Sequence, residues 1–389
     1  MKLLVFAHVP PPHHGQSQMV QYLVDGLRAH PELGIEVFHV DARFSDGLQD
    51  VGAARGGKVL QLFRYGLQAL RMRWRHGIRT LYYVPSPPAR TPLLRDWMIF
   101  ALLRPWFRHR VYHWEAAGLG EWLETRATPW ERLGSRCLLH GPDLSIVLAE
   151  ANRRDAEVFR SVHTAVVPNA IADPCPGFES DLGPVRRARL DELRSRGGTV
   201  RVLFLALNSR DKGLFDALEA IALANAADGA GLRFHLTVAG AFPDPALEQE
   251  FRERCRRPDL ADAVTHAGFV SGPAKSAAWR QADLFLFPTY YASEGQPVSL
   301  IEAMAHGIPA VTTRWRGIPE MLPAGYPGLT APQDPHALAA RLRTVALSEE
   351  GLALRRHFQA HFTVERYLAR MAAAIRSVEP RADGHSPGP

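Results

Sequence analysis

The sequence predicts an α/β protein made of two doubly wound domains facing each other across a cleft. Three observations lead there. The chain has 389 residues, more than one ordinary domain and enough for two. Apolar residues make up 46% of it, which supports two solid cores and excludes wholesale disorder. Short apolar runs alternate with segments of helical periodicity over most of the length, the pattern of parallel sheets covered by helices on both faces.

In the first half the apolar runs predict strands at Leu3–Ala7, Ile35–Val40, Thr80–Val84, Arg110–His113, Ser145–Leu148 and Ala165–Val167. Helical spacing marks Gln16–Ala29, Val59–Trp74, Leu93–Leu103 and Ala151–Arg160. A stretch rich in Pro, Gly and acids follows, and a second alternation begins. Its strands are expected at Val200–Ala206, Arg233–Ala239, Ala263–His266, Asp283–Phe287 and Ala310–Thr313. Its helices are expected at Gly213–Ala226, Pro245–Arg256, Ala274–Gln281, Pro297–His306 and Pro335–Leu347. The expected division is a first domain over 1–170, a linker at 171–184 and a second domain over 185–360. A helix at 361–378 then crosses back to the first domain, and a disordered tail occupies 379–389.

Composition limits the functional classes. Cys137, Cys175 and Cys255 are far apart and odd in number, so neither a disulfide framework nor a structural zinc site is supported. The N-terminal apolar run stops at Pro10, too early for a signal peptide. The most apolar later run, Trp97–Leu103, is far below the roughly 20 residues needed to cross a bilayer. The net charge of +6 is uneven: Val51–Trp114 holds twelve Lys or Arg residues and one acid, Asp96. Within it, Lys58–Arg79 is acid-free, with Leu60, Phe63, Leu67, Leu70 and Trp74 at helical spacing. This basic amphipathic pattern suits either a core-facing helix with a charged outer side or an anionic membrane surface. Residues 58–79 and 97–110 are the expected membrane contact. The expected location is cytoplasmic, peripheral at the inner face of the plasma membrane. No nucleic-acid module is present, and nucleic acid is not an expected partner.

The strongest chemical signal is Glu294-Gly295-Gln296-Pro297-Val298-Ser299-Leu300-Ile301-Glu302. It follows an apolar strand, so Glu294 falls in the loop at a strand's carboxyl end and Glu302 falls in the next helix. Pro297 suits the first helical position and Gly307 the C-terminal stop. The free N–H groups of a helix N-terminus favour a diphosphate. Carboxylates there accept hydrogen bonds from sugar hydroxyls.

This segment resembles the E-x7-E signature of family-4 glycosyltransferases, retaining enzymes of the GT-B fold within glycosyl transferases group 1. Other pieces stand in the family's order. Val166-Val167-Pro168-Asn169-Ala170-Ile171 resembles the run closing the first domain, and Leu203–Gly213 the strand and phosphate loop of the second. Val238-Ala239-Gly240, His266-Ala267-Gly268-Phe269-Val270 and Gly317-Ile318-Pro319-Glu320 follow. The resemblance is dense from Ala165 to Met321 and sparse before it.

The resemblance implies two Rossmann-like domains and transfer of a sugar from a nucleoside-diphosphate sugar, with retention and without a metal. The implied acceptor is a glycan or a lipid-linked sugar in polysaccharide or glycolipid assembly. No cofactor beyond the donor substrate is implied. Glu294 would contact the donor sugar, Glu302 the ribose and Lys212 the diphosphate. Gly295, Gln296, Pro297 and Val298 complete the donor-binding segment. The family's phosphate-binding Arg falls on Leu207 here, so Arg210 or Asn208 is expected to occupy that space. In the first domain, Gly15 of the loop Pro10–Ser17 and His113 at a strand end are the counterparts of the family's loop glycine and sugar-facing histidine. Three alternatives stay open on the residues alone: a glycosyl phosphorylase, a nucleotide-sugar epimerase, and a catalytically silent sugar-nucleotide-binding or membrane scaffold subunit. An NAD-dependent oxidoreductase is disfavoured, because no G-x-G-x-x-G follows a strand.

Overall fold

The computed structural model describes residues 1–11, 15–43, 56–227 and 231–378, with no side-chain detail for 56–58. The expected disordered tail at 379–389 and His14 of the first loop lie outside the described residues. The chain divides into two compact units: Met1–Asn169 with Val364–Pro389, and Ala170–Thr363.

The first unit has a six-stranded parallel sheet. Its strands are β1 (Lys2–Phe6), β2 (Glu36–Val40), β3 (Thr80–Tyr83), β4 (His109–Trp114), β5 (Leu144–Val147) and β6 (His163–Val166), in the order β2-β1-β3-β4-β5-β6. The second unit repeats the plan with β7 (Gly198–Leu205), β8 (Leu232–Ala239), β9 (Val264–Gly268), β10 (Leu284–Phe287), β11 (Ala310–Thr313) and β12 (Leu329–Thr330). Their order is β12-β11-β10-β7-β8-β9, all parallel.

The sequences explain which strands are central. TLYY, LSIV, LFLF and AVTT are buried at every position. A parallel strand covered by helices on both faces needs such an unbroken run. Strands β2, β6 and β9 are partly exposed and sit in the outer half of their sheets. Helix starts are equally local. Thr128-Pro129, Asp244-Pro245 and Asp334-Pro335 each place a capping side chain before a proline at the first helical position. Thr128 and Glu131 form a full capping box.

Two segments near the borders of the units are specifically placed. The Pro/Gly-rich stretch after residue 170 does not hang free. Ile171 bridges to Thr363, and Cys175, Phe178 and Leu182 form a small buried cluster. Arg355, 1% exposed, donates to both carboxylate oxygens of Asp173 at 2.7 Å and to the carbonyls of Ala305 and Cys175 at 2.9 Å. Its guanidinium also lies over Phe178 and Phe358. The second segment is the final helix, Val364–Arg376, which lies inside the expected helix at 361–378 and groups with the first unit. Its buried side holds Tyr367, Leu368, Met371 and Ile375. Leu368 fills the space that a side chain at Gly26 would need.

Arg355→Ala leaves Asp173 with the Cys175 N–H but no cation and opens a buried hole. It should destabilise the second unit by about 3 kcal/mol or more, read by urea unfolding. Adding Asp173→Ala should recover part of that loss. A loss indistinguishable from an exposed Arg→Ala change contradicts this account.

Candidate functional site

In the second unit, strand order reverses between β7 and β10. From there β8 and β9 run to one side, β11 and β12 to the other. Loops leaving the carboxyl ends of two such neighbours part in opposite directions and open a crevice. Here those loops are residues 206–213 and 288–297. They are tied together: Tyr290 N–H donates to the Asp211 carbonyl at 2.7 Å, and Thr289 Oγ1 donates to the same oxygen at 3.3 Å. Gly213 sits at φ +81°, where an added Cβ would lie 2.2 Å from the Pro288 carbonyl oxygen. Only glycine lets the two loops come this close.

This junction brings Lys212 and Glu294 together from positions 82 residues apart. Lys212 Nζ is 2.7 Å from Glu294 Oε2, and the same oxygen accepts a hydrogen bond from Thr289 Oγ1 at 2.9 Å. The ammonium also lies 4.4 Å from the Tyr291 ring centroid, a cation–π contact. Glu294 is 6% exposed. Gly295, Gln296 and Pro297 are buried beside it, and the helix Val298–Ala305 begins immediately after. Pro297 occupies the cap rather than the first helical turn, a one-residue shift.

Glu302 lies on that helix. Its Oε1 is 2.6 Å from Lys275 Nζ, and its Oε2 accepts from Trp279 Nε1 at 3.3 Å. His306 stacks on Trp279 and bonds the Glu302 carbonyl through Nδ1 at 2.8 Å. Burial pushes the His306 imidazole down to about 4, so it is neutral at pH 7. Thr289, Lys275, Trp279 and His306 were not picked out from the sequence. Lys275 and Trp279 stand 27 and 23 residues before Glu302, and no local pattern links them to it.

The two residues expected in the space of the missing arginine have partners within the protein. Arg210 pairs with Glu250 and lies over Phe215, 4.7 Å from its centroid. Asn208 is fully buried. Its side-chain amide donates to the Gly240 carbonyl at 2.9 Å, tying the ends of β7 and β8 together. Leu207 is 48% exposed.

In the first unit, Gly15 opens the helix Gly15–Ala29. His113 is inside β4 and is fully buried. Its Nδ1 is 2.5 Å from Tyr82 Oη and 3.6 Å from Glu115 Oε1. His113 Nε2 and Glu115 Oε1 have no hydrogen-bond partner. Burial lowers the imidazole to about 3. Burial likewise raises the Glu115 carboxyl to about 8, with a bond from Asn169 opposing the rise. At pH 7 the contact therefore joins a neutral imidazole to a mostly protonated carboxyl and is not an ion pair.

Residues 199–347 match the family model described as Glycosyl transferases group 1. The amylovoran biosynthesis glycosyltransferase AmsK of Erwinia amylovora is 34% identical over 155 residues, 39% of this chain and 37% of that relative. The matched segment thus spans little more than a third of the curated relative. Over nearly the whole chain the likeness is one of fold. Sucrose-phosphate synthase from Thermosynechococcus elongatus superposes with a TM-score of 0.69 at 18% identity, covering 97% of this chain and 99% of its own. HepE of Anabaena, solved with UDP and glucose, gives 0.62 at 16% identity, covering 97% and 100%. The two parallel six-stranded sheets with interleaved helices are those of the GT-B fold.

The buried His113 and Glu115 make a prediction about pH. Unfolded, their ordinary values are 6.5 and 4.5. Between those values the folded pair holds one proton, on Glu115, and the unfolded pair also holds one, on His113, so stability is flat. Between 6.5 and about 8 the folded pair keeps a proton that the unfolded pair has lost, and stability falls as pH rises. Below 4.5 the unfolded pair holds two, and stability falls as pH drops. Glu115→Gln should remove the alkaline loss, about 2 kcal/mol between pH 6.5 and 8, in thermal unfolding against pH. Identical alkaline slopes for the two proteins contradict this assignment.

Proposed function

We propose that this chain transfers a sugar from a nucleoside-diphosphate sugar to an acceptor glycan or lipid-linked sugar in polysaccharide assembly, with retention at the anomeric carbon and without a metal. The carrying observation is the Lys212–Glu294 contact at the reversal point of the second sheet, beside the N-terminus of the helix Val298–Ala305. The match to Glycosyl transferases group 1 and the kinship with AmsK support the reaction class. The UDP and glucose held by HepE support a nucleotide-sugar donor.

Lys212 exchanges Glu294 for the donor diphosphate, and the helix N-terminus adds its free N–H groups. Glu294, still held by Thr289, then accepts hydrogen bonds from the donor sugar hydroxyls. Glu302 accepts from the ribose hydroxyls. As the anomeric C–O bond breaks, negative charge grows on the leaving phosphate, where Lys212 stabilises it. The acceptor hydroxyl forms the new bond on the same face while its proton passes to the leaving phosphate oxygen. That route retains configuration and needs no carboxylate base. Lys212 supplies the charge that a metal would otherwise bring.

Glu294→Gln keeps the shape of the loop but loses the charge that orders the sugar and Lys212. Turnover should fall by about two to three orders of magnitude with the fold intact. The wild-type product should show retained anomeric configuration by NMR, and EDTA should leave turnover unchanged. Near-normal turnover of Glu294→Gln would remove Glu294 from the reaction. An inverted product, or activity lost to EDTA and restored by manganese, would overturn the route.

A further inference from the structure

The first unit carries a surface that the transfer reaction does not use. It centres on the helix Gly56–His76. One side of that helix is buried, made of Leu62, Gly66, Ala69 and Leu70, with Tyr65 and Met72 partly packed on the same core. Four large apolar side chains face solvent instead: Leu60 is 67% exposed, Phe63 46%, Leu67 61% and Trp74 56%. Their spacing places them in one stripe along the helix. An apolar stripe of this kind marks an interaction surface rather than ordinary surface scatter. Trp106, 43% exposed, meets Trp74 edge-on with ring centroids 5.2 Å apart and extends the stripe past the helix.

The charges carried by this helix have one sign. Arg64, Arg71 and Arg75 are exposed on the same helix, and its sequence contains no acid. The helix that packs on it, Arg90–Leu103, and the helix packed on that one, Pro129–Leu139, have one acid each. Asp96 is fully buried, accepting from Tyr83 Oη and the Ser86 N–H and pairing with Arg95. Glu131 caps its own helix and pairs with Arg90 at 3.1 Å. Neither acid is left to neutralise the exposed arginines of the stripe.

We propose that this face docks on an anionic lipid bilayer, the apolar stripe entering the headgroup region and the arginines meeting lipid phosphates. Exposed aliphatic and indole groups beside arginines are the composition such an interface selects. A second copy would bring arginines against arginines across a two-fold axis. A nucleic acid would satisfy the charge but leave Leu60 and Leu67 against phosphates. No described helix is long and apolar enough to cross a membrane. The inference does not rest on the transfer reaction, because binding is read with neither donor nor acceptor present.

The test is sedimentation of the full chain with vesicles of phosphatidylcholine, alone and mixed equally with phosphatidylglycerol, at low and high salt. The chain should sediment with mixed vesicles only and be released by salt. Arg71→Glu with Arg75→Glu should lower the partition coefficient roughly a hundredfold. Leu67→Ser with Trp74→Ser should lower it about tenfold or more on the same vesicles. All four positions are exposed, so both variants should keep the wild-type melting temperature. Failure to sediment with mixed vesicles, or binding that survives both variants, overturns the proposal. So does a chain that light scattering shows to be dimeric and that the Leu67→Ser, Trp74→Ser variant makes monomeric, which assigns the face to a second copy.

Discussion

The contact between Lys212 and Glu294 is the interaction on which the proposed donor site depends. Two opposite charges, 17% and 7% exposed in their side chains, are held largely out of water where two loops meet. Each makes the other tolerable there, since a buried charge left alone is costly. The arrangement suits a ligand that presents an anion and hydroxyl groups together. Such a ligand gives Lys212 a new anion and Glu294 new donors in the same event, so neither charge is stranded. A ligand with only one of these features satisfies half of the pair.

The rest of the second unit keeps this contact in register. β7 and β10 must be neighbours, which the parallel order with its reversal point provides. The loops must touch, which Gly213 and the bonds to the Asp211 carbonyl provide. Glu294 must not turn away, and Thr289 holds its Oε2. Behind the helix that bears Glu302, Arg355 clamps the start of the unit to its end through Asp173 and two carbonyls. Glu302 is held in the same manner, between Lys275 and Trp279.

Much of this was legible in the sequence. Central strands such as LFLF and LSIV read clearly because burial on both faces removes the alternation that makes other strands ambiguous. The E-x7-E segment was legible because its strand, loop and helix are consecutive. What was not legible depends on distance. Lys275 and Trp279 reach Glu302 through the fold, and Arg355 meets Asp173 across 182 residues. Strand β12 has only two residues, too few for any period. The basic helix was ambiguous for another reason. Its apolar spacing was visible, but spacing cannot say which side faces the core. Leu62 and Leu70 pack inward with Gly66 and Ala69, while Leu60, Phe63, Leu67 and Trp74 face solvent, so large apolar residues lie on both sides.

The most direct measurement is calorimetric titration of a nucleoside diphosphate and of the matching nucleoside, into wild type and Lys212→Ala. If Lys212 passes from Glu294 to the phosphates, the variant loses affinity for the diphosphate by about tenfold or more and keeps its affinity for the nucleoside. Equal losses for both ligands, or none for either, would show that Lys212 serves only to hold Glu294 and would contradict the account.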